Sequence, residues 1–135
     1  MTLEERINLA ETRVCTTVFP FLTNHHDTLF GGKAMAIMDE VSFMAATRFC
    51  HKRLVTVSTD RIDFAKAIPS GSIIEAVARV DSIGRTSLKV RVEMYLEHMY
   101  EEGRELAING LFTFVALDEN KNPIPVLEGL SLDEA

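Results

Sequence analysis

Residues 24–51 read N-H-H-D-T-L-F-G-G-K-A-M-A-I-M-D-E-V-S-F-M-A-A-T-R-F-C-H. A polar loop runs into Gly31 and Gly32, and the glycines open a helix that is apolar on most sides. Two carboxylates, Asp39 and Glu40, interrupt it. At about 100° per residue, Lys33, Glu40, Thr47 and His51 form one narrow polar stripe, which places Glu40 on the wetter edge. Asp39 points about 100° away from that stripe, among Met35, Phe43, Ala46 and Cys50. Aspartate is a poor mid-helix residue because its short side chain competes for backbone hydrogen bonds. A buried carboxylate is costly unless it is paired or functional. Two readings stay open. Asp39 is held by a loop or a subunit boundary, or it lies at an apolar pocket as a general base or nucleophile.

The glycines bear on the second reading. Free N–H groups at a helix start favour negative charge and can stabilise an oxyanion. Asp39 lies about two turns further on, roughly 10 Å along the axis. That is far for one reacting atom in one chain. Either the ligand extends along the helix or the partners of Asp39 come from another subunit.

Outward from the helix the period changes from 3.6 to 2. Upstream, Val14–Phe19 is β-branched and reads as a strand ended by Pro20; Thr2 and Glu5 could cap a short helix before it. Downstream, strands are expected over Leu54–Phe64, Ser72–Ile83, Ser87–Met99 and Arg104–Leu117. In the third of these, Leu88, Val90, Val92, Met94 and Leu96 oppose Lys89, Arg91, Glu93 and Glu97, a sheet with one wet face. The last is apolar on both faces, Leu106, Ile108, Phe112 and Phe114 against Leu111, Val115 and Leu117. Gly110 within it predicts close approach by another backbone. Residues 119–135 read as a loose acidic tail. Sequential strands with short turns pair antiparallel, and a helix apolar nearly all round must be wrapped. The expected class is α+β, one domain over 1–135, with an antiparallel sheet around one long helix.

The chain has 135 residues, 47% hydrophobic and 25% charged, and a net charge of −6. That charge argues against nucleic acid or an anionic membrane as partner. No run of about 18 apolar residues suggests a membrane span, and the N-terminus has no signal-peptide core. Cys15 and Cys50 make no disulfide framework, and a reduced, cytoplasmic protein is expected. His25, His26 and Asp27 lack metal-ligand spacing, so no metal is expected. There is no G-x-S-x-G elbow. The turn Gly84-Arg85-Thr86-Ser87 could bind phosphate or a polar amide chain, although an ordinary hairpin turn has the same composition.

Taken together, N-x-x-x-T-L-F-G-G-x-x-x-x-x-M-D-E, V-T-V-S-x-D-R-I-D-F, G-R-T-S-L-x-V-x-V-E and F-T-F-V-A-L-D resemble the hotdog-fold acyl-CoA thioesterases, over roughly Val14 to Val126. The YciA-like bacterial enzymes and the cytosolic (brain-type) acyl-CoA hydrolases are the nearest groups. The resemblance implies a hotdog fold, dimers with a continuous sheet, and a trimer of dimers. It implies hydrolysis of acyl-CoA to free acid and CoA, with no cofactor beyond the substrate. It carries the catalytic aspartate onto Asp39 and the loop asparagine onto Asn24, facing each other across the dimer. Gly31 and Gly32 would bind the thioester carbonyl. Gly84, Arg85, Thr86 and Ser87 would hold the pantetheine arm and approach the CoA phosphates, with Arg85 the cation. Asp27 departs from the family's usual glycine, and aspartate tolerates the left-handed region better than most residues. A hotdog-type hydratase or dehydratase, and a non-catalytic acyl-CoA-binding domain, are the alternatives.

Overall fold

The computed structural model describes residues 1–128. Two helices and five strands follow in the order α1 (Leu3–Ala10), β1 (Thr12–Thr17), α2 (Gly31–Cys50), β2 (Arg53–Phe64), β3 (Ser72–Ile83), β4 (Ser87–His98) and β5 (Glu105–Leu117). The strands form one antiparallel sheet in the order β1-β3-β4-β5-β2. Helix α2 lies across one face of that sheet. It buries Ala34, Met38, Val41, Ala45, Ala46 and Phe49 against Ile74, Ala76, Ala78, Val90, Val92, Met94, Phe112 and Phe114. Alanines on both surfaces let the helix backbone approach the sheet closely, while Phe49, Phe112 and Phe114 fill the remaining space between them.

Local signals explain the element ends. Thr2 and Glu5 form the capping box that starts α1, each side chain bonding the other's backbone N–H. His51 takes the left-handed conformation (φ 54°) that ends α2, its N–H on the Thr47 carbonyl at 2.7 Å. Cys50 is the small buried hydrophobe the sequence suggests, its thiol on the Ala46 carbonyl, and burial pushes that thiol up.

Three expectations are corrected. The first strand begins at Thr12 and ends at Thr17, short of Phe19, whose N–H turns back onto the Thr17 carbonyl at 3.2 Å ahead of Pro20. In β5, Ala107 points into the core and Leu106 points out, reversing the expected side for Leu106. A register shift beside Met94 and Tyr95 inserts one residue there, and one residue flips a side chain to the other face. The tail is packed on the core as far as Leu127: Val126 is 0% exposed, with Ile124 and Leu127 partly buried beside it. Residues 129–135 lie outside the described residues.

The expected close approach at Gly110 is present. A Cβ there would lie 2.9 Å from Ile62 Cγ1 and 3.6 Å from Ile62 Cα. Ile62 reaches that point because β2 slips register between Asp60 and Asp63, with Arg61 in the left-handed region at φ 48°. The bulge turns Ile62 onto Gly110 and Met38, directly under the middle of α2.

Candidate active site

Asp39 is exposed in the single chain, which corrects the expectation of a carboxylate enclosed by its own apolar neighbours. Those neighbours are exposed with it: Met35 is 39% and Phe43 43% accessible. Met35, Asp39 and Phe43 recur every four residues and so share one helix face. The buried face of α2 meets the sheet squarely, and this stripe runs along its border, where the Phe43 ring lies 6.4 Å from that of Phe114. The helix is apolar nearly all round because one side faces its own sheet and a second stripe remains uncovered.

The carboxylate is nevertheless oriented. Thr56 Oγ1 donates to Asp39 Oδ1 at 2.9 Å, which leaves Oδ2 without a side-chain partner among the described residues. Thr56 has no role in the sequence reading, although it lies inside V-T-V-S-x-D-R-I-D-F. Its signal was a hydroxyl on the helix-facing side of a strand, legible only once the register of β2 against β5 placed Thr56 opposite Phe114.

Asn24 heads a tight loop closed by pairing of Thr23 with Leu29. Its Oδ1 accepts from the His26 N–H (2.8 Å), the Thr28 N–H (3.3 Å) and the Thr28 hydroxyl (3.2 Å). The carbonyl end is thus consumed by the loop, and the amide Nδ2 is what remains to donate to a ligand. Asp27 takes the left-handed conformation at φ 59°, so the turn forms without the glycine.

At the start of α2 the first internal bond is Ala34 N–H to the Phe30 carbonyl, 3.0 Å. The amides of Gly31, Gly32 and Lys33 therefore lie beyond the helix ladder, and Phe30 supplies no side-chain cap. A Cβ on Gly32 would meet the Phe30 ring at 2.7 Å, and the Phe64 ring lies 3.8 Å from the Cβ position of Gly31. The helix end is an oriented set of donors with aromatic walls.

The turn Gly84–Ser87 is a hairpin closed by Gly84 N–H on the Ser87 carbonyl, 2.8 Å. Ser87 pairs with Val115, and Leu117, two residues on, pairs with Arg53 at the start of β2. The turn is thus at the C-terminal end of α2. Phe64, at the far end of β2, packs on Gly31. One chain therefore brings Asp39 and Thr56 together, and keeps Asn24, Gly31 and Gly32 at the opposite end from Gly84, Arg85, Thr86 and Ser87.

A family model of the thioesterase superfamily matches residues 26–102. The chain is 40% identical over 124 residues to the uncharacterized acyl-CoA thioester hydrolase YkhA of Bacillus subtilis, covering 86% of this chain and 72% of that protein. It is similar to a solved acyl-CoA hydrolase of Staphylococcus aureus in complex with butyryl coenzyme A, coenzyme A and coenzyme A disulfide. The TM-score is 0.84 at 36% identity, over 88% of this chain and 73% of that one. That hydrolase has also been solved with an asparagine, an aspartate or a threonine replaced by alanine. The three lie fifteen and then seventeen positions apart, the same intervals that separate Asn24, Asp39 and Thr56. A hexameric acyl-CoA thioesterase aligns with TM-score 0.86 at 32% identity, over 95% of this chain and 83% of that one.

Proposed function

This chain belongs to the thioesterase superfamily, and from that membership we propose that it hydrolyses acyl-CoA to a free carboxylic acid and CoA at a site shared by two subunits. The observation that carries this reading is the Thr56 to Asp39 hydrogen bond, which orients a solvent-facing carboxylate through one oxygen and leaves the other without a side-chain partner among the described residues. In the proposed reaction Asp39 attacks the thioester carbonyl or draws a proton from the attacking water. The C–S bond then breaks, and the thiolate of CoA leaves and takes up a proton; where Asp39 itself attacks, water next cleaves the acyl–Asp39 anhydride, releasing the acid and restoring the carboxylate. Thioester and water balance acid and thiol, so the reading routes no step through a metal or cofactor.

Charge develops on the carbonyl oxygen during attack. The amides at Gly31 and Gly32, with the helix dipole behind them, are suited to stabilise it, and the Asn24 amide is a further donor. Geometry within one chain separates these donors from Asp39. Strand β2 offers a remedy: it is an edge strand of twelve residues, with Val55 43% and Val57 53% exposed. Such an edge is a template for pairing. A second copy pairing β2 to β2 about a two-fold axis runs antiparallel. That operation sets the partner subunit's Asn24 and Gly32 beside Asp39 and the Gly84–Ser87 turn. It also covers the Met35–Asp39–Phe43 stripe. In this arrangement Gly84, Arg85, Thr86 and Ser87 hold the CoA moiety, and three such dimers make a hexamer. Two free thiols fit a cytoplasmic location.

Incubating the protein with acyl-CoAs of graded chain length and a thiol reagent should release free CoA for at least part of the series. No release at any length would refute the reading. Thr56→Val keeps the shape but removes the donor, and should lower kcat roughly tenfold, whereas Thr56→Ser should retain most of the activity. If both variants matched the wild type, Thr56 would have no part in orienting Asp39.

A further inference from the structure

The chain continues past the last strand in a defined path. Asp118 Oδ1 accepts the amides of Asn120 (2.8 Å) and Asn122 (2.9 Å), and the Asp118 N–H donates to the Asn122 carbonyl. The Asn122 N–H first, and the Asn120 N–H with it, hold the Asp118 carboxyl below the usual range. With Lys121 left-handed at φ 66°, the chain reverses. Leu117 then pairs with Pro123, and the Ile124 N–H reaches the Ala116 carbonyl at 2.9 Å. The Val126 N–H donates to the Arg85 carbonyl, 2.9 Å, while its side chain is sealed in the core. Lys52 and Glu128 form an ion pair at 3.2 Å where the segment passes α2.

Three carbonyls of the Gly84–Ser87 turn are held from outside the hairpin or across it. Gly84 bonds Ser87, the Thr86 carbonyl takes the Ala116 N–H at 3.0 Å, and the Arg85 carbonyl takes Val126. The third of these restraints comes from a segment that is not part of the sheet. Arg85 itself is exposed. A long cation on a loose turn samples many positions, and a fixed frame reduces what binding must order.

We propose that residues 123–128 form a strap that positions the Gly84–Ser87 turn for the phosphates of CoA, with Val126 as the positioning residue acting through its N–H on the Arg85 carbonyl. The proposal rests on the reading of that turn as the CoA-binding turn.

Val126→Pro removes the donor and keeps an apolar side chain, and its neighbour Pro125 already excludes a helix. Its KM for butyryl-CoA should rise roughly three- to tenfold with kcat retained. With S-butyryl pantetheine, which lacks the nucleotide phosphates, KM should match the wild type. Val126→Ala, which keeps the N–H, should leave both KM values unchanged while lowering the melting temperature. An equal rise in Val126→Ala, or a rise with both substrates, would overturn the role of the N–H. Arg85→Ala separates the two layers. If it leaves the butyryl-CoA KM unchanged, the reading of the turn fails; if it raises KM and Val126→Pro does not, the strap alone fails. In the wild-type protein, adding CoA should slow hydrogen exchange of the Val126 and Ala116 amides, and unchanged rates would also refute the strap.

Discussion

Asp39→Ala is expected to lower kcat/KM for acyl-CoA by two to four orders of magnitude, the usual worth of a positioned base or nucleophile (about 10²–10⁴-fold). The loss should fall on kcat with KM little changed, because the carboxylate acts on the reacting carbonyl rather than on the CoA handle. Folding should be nearly indifferent. Asp39 is exposed in the chain and its side chain makes one described hydrogen bond, to Thr56. Removing an exposed group outside a core, cap or network shifts stability by less than about 0.5 kcal/mol, so thermal unfolding of the variant should overlay the wild type. Asp39→Asn tests charge against shape. It fits the same space and can still meet Thr56, yet it can neither accept a proton nor attack, so it should be nearly as inactive as alanine. Release of CoA by either variant at the wild-type rate would remove Asp39 from the mechanism.

The part of this site legible in the sequence was the part set by local geometry. The alternation of β4 and the helical wheel of α2 depend on spacings along one element; the first matched the structure residue by residue, and the second placed the polar stripe except at Thr47, whose hydroxyl is buried. The wheel correctly put Lys33, Glu40 and His51 in water. It misjudged the surroundings of Asp39, because a wheel orders residues around an axis without saying which arc a sheet will cover. Met35 and Phe43 looked like walls of a pocket and are an uncovered stripe. Thr56 was illegible for a related reason. Its partner is seventeen residues away on another element, and a register shift between Thr56 and Ser58 sets which side chains of β2 face the helix. Leu106 failed the same way, since the slip at Tyr95 that turns it outward leaves no local mark. Val126 lay in a stretch whose prolines and acids suggested a tail, and composition does not show that one valine is sealed in the core.

Gly110→Val is expected to lower stability by about 2–3 kcal/mol, at the upper part of the range for overpacking a filled core. On intrinsic grounds the substitution should help, since valine suits a strand and glycine weakens one. Space decides the sign. A Cβ at this position would lie 2.9 Å from Ile62 Cγ1 and 3.4 Å from Met38 Cε, and valine adds two methyl groups beyond it. Met38 ends in a flexible thioether and can give way. Ile62 is less free: it follows Arg61 at φ 48° within the register shift of β2, so retreating means undoing the bulge. For a domain of this length the melting temperature should fall by about 10 °C. Ile62→Ala clears the space and supplies the control. Each single variant should destabilise, but the double variant should be distinctly more stable than the sum of the two losses, as residues sharing one cavity couple. Additive losses, or wild-type melting of Gly110→Val, would show that the close approach is not what keeps glycine there. Met38 immediately precedes Asp39, so the folded fraction should also turn over more slowly. Activity per folded molecule then reads whether the seat under α2 sets the position of the carboxylate.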